Sequence, residues 1–153
     1  ENGVKVAYTM SDPNMVKFFK ENIDALLENK VDLLFCNEAE AMEFTGKGSV
    51  VEAREELKKY ADHFAITLGK NGAVIWDGNT FIDIEPYKTD AIDSNGAGDM
   101  FAGAFLYGIT NGMNYAGAGS FASLASSKVV SQFGPRLKWT QAKELLKNTR
   151  GEN

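Results

Sequence analysis

Apolar residues in this chain come as short runs divided by longer stretches of helical periodicity, and that alternation narrows the fold more than any other feature. Val31-Asp32-Leu33-Leu34-Phe35-Cys36 and Phe64-Ala65-Ile66-Thr67-Leu68 are apolar enough to be buried on both faces, as strands of a helix-covered parallel sheet must be. Val4 to Tyr8 reads as a strand before them. Ser11-Asp12-Pro13 supplies a break and cap chemistry ahead of an amphipathic stretch from Asn14 to Glu28. Asn37 to Phe44 opens with acids suited to a helix N-terminus, and Val50 to Tyr60 resumes helical spacing. The order β-α-β-α-β predicts an α/β fold, three-layered as αβα around a mostly parallel sheet, with ligand groups where strands end.

The rhythm then changes. Ala73 to Trp76 and Thr80 to Ile84, joined across Asp77-Gly78-Asn79, read as a hairpin at a sheet edge. Two charge-poor stretches, Met100 to Ile109 and Tyr115 to Val130, read as buried helices, and Thr140 is expected to cap a closing helix through Asn148. A length of 153 residues is near that of one domain. The chain is therefore expected to be a single domain, residues 1–153.

Charge and cysteine content exclude several functions. Sixteen Lys and Arg against twenty-one Asp and Glu leave a net charge of -5, which argues against a partner held by its phosphate backbone. Nucleic acid is not expected, nor is a membrane, since no apolar run approaches the roughly 20 residues a span requires. The lone Cys36 allows no internal disulfide and points to a reducing, cytoplasmic setting. His63 has no second ligand nearby in sequence and reads as structural, and Trp76 and Trp139 read as packing residues.

Gly96-Ala97-Gly98-Asp99 lies between a short extended stretch and the apolar helix from Met100. Small residues let backbone approach an anion, and the first amides of a helix present donors and the positive dipole end to it. Asp99 there could take a proton from an attacking hydroxyl. A plain turn followed by an N-terminal helix acid accounts for the same residues. Asn37 and Glu40, one helical turn apart, could serve a magnesium ion or simply cap a helix. Thr67 to Gly72 is a strand-to-loop segment with Asn71-Gly72 as a turn signal.

Together these motifs, in this order, resemble the ribokinase-like (PfkB) carbohydrate and nucleoside kinases. The run Asp93-Ser94-Asn95-Gly96-Ala97-Gly98-Asp99-Met100-Phe101-Ala102-Gly103 resembles their C-terminal signature, and Asn37-Glu38-Ala39-Glu40 their Asn-x-x-Glu motif. The resemblance implies that Asp99 is the catalytic base and that Gly96, Ala97 and Gly98 form the anion hole. It implies nucleotide contacts at Asn37, Thr67, Gly69, Lys70 and Gly72, with Ser123 near the base. Glu40 is implied to act on Mg²⁺ through water, and Asp93 and Asn95, with carbonyls around Val129, Gln132 and Gly134, to hold a monovalent cation such as K⁺. Lys138 stands where an oxygen-bearing residue often helps that cation.

ATP-dependent phosphotransfer to a hydroxyl of a sugar or nucleoside is the activity so implied, adenosine being the preferred acceptor. A nucleotide-binding or regulatory module without phosphotransfer is the alternative. Because the resemblance covers the C-terminal part of such kinases, the fold is expected to be incomplete. The acceptor-binding and lid region would then be absent, leaving this fragment alone a poor catalyst that associates with itself or with a missing N-terminal half. Gly117-Ala118-Gly119-Ser120-Phe121-Ala122 fits a dinucleotide pattern on paper, but no strand precedes it, and it is read as close helix packing.

Overall fold

The computed structural model describes residues 3–150. The expected α/β class is the one found: five strands stand side by side in sequence order, β1 (Ala7–Thr9), β2 (Val31–Asn37), β3 (Ala61–Thr67), β4 (Ala73–Trp76) and β5 (Phe81–Ile84). β1, β2 and β3 run parallel, and β4 turns back antiparallel to β3. The hairpin lies at one edge of the sheet, as its turn residues indicated. By backbone proximity the chain divides into two compact units, Glu1–Gly69 with Ala73–Asp83, and Lys70–Gly72 with Ile84–Asn153.

In the first unit, α1 (Pro13–Phe18), α2 (Lys20–Leu27), α3 (Glu38–Thr45) and α4 (Val50–Leu57) supply Val16, Leu27, Ala41, Phe44, Ala53 and Leu57 to one core with Leu34, Phe64 and Ile66 of the strands. The alternate strand residues Leu33, Phe35, Ala65 and Ile75 are buried too, so the central strands are apolar on both sides. Asp12 caps α1, accepting from the amides of Asn14 and Met15, and Pro13 occupies the first turn where its missing N–H costs nothing. The single helix expected from Asn14 to Glu28 is broken at Phe19, whose backbone (φ -118°, ψ 24°) closes α1 and opens α2. β1 also begins later than expected, at Ala7.

Trp76 packs on Phe81 at 4.9 Å, under the ammonium of Lys58, and Arg54 lies over the Phe81 ring at 4.3 Å. His63 meets the Asp32 carbonyl through Nδ1 at 2.9 Å, a structural role.

In the second unit, α5 (Ala97–Thr110) and α6 (Tyr115–Val130) form a tight helical pair. A Cβ built on Gly108 would lie 2.8 Å from that of Ala118, so the small residues of Gly117 to Ala122 serve close packing. α7 (Trp139–Arg150) starts one residue before Thr140, which therefore does not cap it; Gln141 Oε1 accepts the Lys138 amide instead. Trp139 is exposed, with Lys143 beside its ring, and is not the core residue its type suggested.

At the hairpin tip, the amides of Thr80 and Asn79 donate to Asp77 and hold its carboxyl below the usual range. Its folded pKa lies below its unfolded one, so its contribution to stability is whole above the unfolded value and is lost as pH falls through the folded one. Urea unfolding of Asp77→Ala between about pH 5 and pH 3 should therefore show a smaller drop in midpoint than the parent; equal drops would remove Asp77 from the acid limb.

Candidate functional site

β2 and β3 end in register, with Asn37 paired to Thr67. Parallel strands lie about 4.8 Å apart, so the sheet places the heads of two sequence motifs side by side. α3 and the turn after β3 both leave at the carboxyl ends of the strands, where helix-covered sheets gather ligands.

Asn37 is both the last residue of β2 and the N-cap of α3. Its Oδ1 accepts the Glu40 amide at 2.9 Å; Glu40 Oε2 accepts the Asn37 amide at 2.8 Å and Oε1 accepts Asn37 Nδ2 at 2.9 Å. The pair thus closes a full capping box. Glu40 is only 4% exposed. Burial pushes its carboxyl up, against the lowering effect of the Asn37 amide, and the negative charge of Asp12 adds to the rise. Cys36, directly before, is buried, and burial with the charge of Glu40 drives its thiol far from ionisation. Among the described residues no group of three or more His, Cys, Asp or Glu is placed to hold a metal ion. Glu40 would therefore meet magnesium only with water and phosphate oxygens completing the shell.

Beyond β3 the chain passes through Gly69 (φ 57°), a short 3-10 turn over Gly69–Asn71 that leaves Lys70 exposed, and Gly72 (φ 86°). A Cβ at Gly72 would fall 1.9 Å from the Ile84 carbonyl oxygen, so glycine is obligatory there for reasons of space as well as torsion.

In the second unit the glycine motif is anchored to the segment after α6. Asp93 Oδ1 accepts the Asn95 amide at 3.0 Å, and Oδ2 accepts the Gly134 amide at 3.1 Å. These bonds hold the Asp93 carboxyl below the usual range. The amides of Ile92 and Asp93 both donate to the Val130 carbonyl. Gly96 is the N-cap of α5 at φ 76°, and a Cβ on it would meet the Pro135 carbonyl oxygen at 2.4 Å.

No side chain caps α5. A Cβ built on Gly98 would meet nothing within 4 Å, and Asp99 stands exposed in the first turn. The helix start is thus open to an anion, with a carboxylate beside it. Ser123 is buried and its hydroxyl donates to the Glu85 carbonyl at 3.1 Å, so its donor is already engaged within the protein.

The structure therefore joins Asn37, Glu40 and Thr67 in one place, and Asp93, Asn95 and Gly96 to Asp99 in another. Sequence reasoning passed over Ser126, whose hydroxyl donates to the Ala97 carbonyl inside the glycine motif. A serine on an otherwise apolar helical face was the available signal.

Comparison with known proteins gives a consistent result. The family description "pfkB family carbohydrate kinase" matches residues 1–142. Ribokinase from Lactococcus lactis is 32% identical over 148 residues, covering 94% of this chain and 46% of that protein. A probable sugar kinase from Rhizobium etli superposes with TM-score 0.87 at 30% identity, over 99% of this chain and 46% of its own. Adenosine kinase from Sinorhizobium meliloti gives TM-score 0.89 at 28% identity, over 95% and 45%. The chain spans about half the length of these relatives.

The Gly96 geometry is directly testable. Gly96→Ala adds a methyl where φ is positive and Pro135 leaves no room, and should cost about 1–3 kcal/mol in chemical denaturation. Gly98→Ala, facing open space, should cost less than Gly96→Ala; the reverse order would contradict the packing described.

Proposed function

The chain belongs to the pfkB family of carbohydrate kinases, and from that membership we propose that it supplies the ATP-binding and general-base part of a phosphotransferase acting on a hydroxyl of a sugar or nucleoside. One observation carries the reading: the α5 N-terminus has no side-chain cap, opens to free space at Gly98 and holds Asp99 in its first turn.

In this reading the backbone of Gly96, Ala97 and Gly98 forms the anion hole that receives charge on the transferring phosphoryl group, the Gly98 amide being its donor in the first turn while the Ala97 amide donates to the Ser94 carbonyl at 3.3 Å. Asp99 takes the proton of the acceptor hydroxyl as its oxygen bonds to phosphorus and the bond to the leaving ADP oxygen breaks. Thr67, Gly69, Lys70 and Gly72 act on the nucleotide phosphates. Asn37 orients Glu40, whose carboxylate reaches magnesium through water. Magnesium, bound with ATP, neutralises phosphate charge during transfer. Ser123 borders the base by fixing the Glu85 backbone, a role its hydrogen bond supports.

Adenosine is the acceptor proposed first, supported by Asn95 ahead of Gly-Ala-Gly and by the likeness to the Sinorhizobium meliloti enzyme. Ribose comes second, supported by the likeness to ribokinase. Potassium near Asp93 and Asn95 belongs to the same proposal, supported by the Asp93–Gly134 bond that brings a carbonyl-bearing segment against the motif. Among the described residues no helix is long and apolar enough to cross a membrane.

The test is turnover of the protein with its full reading frame, using ATP and magnesium against nucleosides and sugars, with and without potassium. Phosphorylation of one acceptor class, reduced at least about 10²-fold in Asp99→Asn, is the expected result. Undiminished turnover by that variant would remove Asp99 as the base, and ATP binding with no turnover on any acceptor would overturn the phosphotransfer reading.

A further inference from the structure

We infer that Ser126 is a positioning residue that strengthens the Gly98 amide as an anion donor by hydrogen-bonding the carbonyl of the same peptide unit. The inference rests on the function proposed above and adds a residue to that site. The Ala97 carbonyl and the Gly98 N–H belong to one planar, conjugated amide. A carbonyl oxygen has two lone pairs, and in a helix one receives the amide four residues on. Ser126 Oγ donates to this oxygen from α6. Drawing electron density toward the oxygen leaves the Gly98 N–H more positive, the cooperative effect by which linked hydrogen bonds strengthen one another.

Two observations separate this from ordinary helix chemistry. Of the serines at and beyond Ser126, Ser127 and Ser131 bond back three residues, to the Leu124 carbonyl at 2.7 Å and the Lys128 carbonyl at 3.0 Å, while the preceding Ser123 reaches the Glu85 carbonyl and not α5. Ser126 alone of these reaches across to α5. The bond is also not needed to hold the helices together, because the Gly108–Ala118 approach does so further along. Its target is the peptide unit that enters Gly98, the first-turn residue at which a built Cβ would meet nothing within 4 Å.

The experiment uses this chain, labelled with ¹⁵N, and a non-hydrolysable ATP analogue as the probe. In Ser126→Ala the Gly98 amide proton should move upfield, toward a weaker donor, and the dissociation constant of the analogue should rise about fivefold. Ser126→Thr should restore both, Ser126→Cys should fall between, and Ser127→Ala should change neither. In the complete kinase, Ser126→Ala should lower kcat while leaving the KM of the acceptor unchanged. The inference is overturned if Gly98 does not respond to Ser126→Ala, or if Ser127→Ala moves it equally. Should Ser126→Ala fail to fold, the order of the Thr and Cys variants at Gly98 decides in its place. Failure of the parent chain to bind the ATP analogue would count against the nucleotide reading, while the Gly98 resonance would still decide the role of Ser126.

Discussion

The register of β2 against β3 is the constraint on which the first unit depends. Because Asn37 and Thr67 are partners in the ladder, α3 and the turn after β3 leave the sheet together. A slip of β3 by one residue would exchange Phe64 and Ile66 for the small Ala65 on the face they share with Leu34, a mismatch of volume that the packed core resists. The core therefore fixes the register, and the register fixes where the motifs stand. Asn37 belongs to both levels, as the last strand residue and the first cap of α3. The same side chain thus ends one element and starts the next.

The second unit solves a different problem with a similar economy. A glycine turn has no side chains with which to hold itself, so its position must come from outside. Asp93 supplies that by taking two backbone amides, one on either side of a long excursion through α5 and α6. Pro135 closes against Gly96, and Ser126 holds the Ala97 carbonyl. All three restraints come from residues flanking the turn or from the far end of the helical pair. No side chain caps the first turn of α5 as a result, although the Ala97 amide donates to the Ser94 carbonyl at 3.3 Å.

Much of this was legible in the sequence, and the misses have local causes. The parallel strands announced themselves because burial on both faces demands mostly apolar runs, and the glycine motif because small residues directly ahead of an apolar helix let backbone approach an anion. The break at Phe19 was not legible, since the amphipathic spacing continues on both sides of it and neither glycine nor proline marks the spot. Thr140 looked like a cap from its type, but Gln141 reached back to the Lys138 amide and moved the helix start. Trp139 reads as a packing residue because the acidic charge balance disfavours base stacking, whereas it stands exposed at a helix start with Lys143 beside its ring. The capping box at Asn37 and Glu40 satisfies the structural reading in full, yet the same bonds pre-orient a carboxylate at a strand end. Spacing alone could not separate these uses because one geometry serves both.

The close approach of Gly108 to Ala118 gives α5 the character of a lever. Gly98 and Gly108 are ten residues apart in one helix, about 15 Å along its axis, and the fulcrum is a contact too tight to admit a methyl group. The direction in which the helix sets its uncapped first turn therefore depends on the smallness of a residue three turns away.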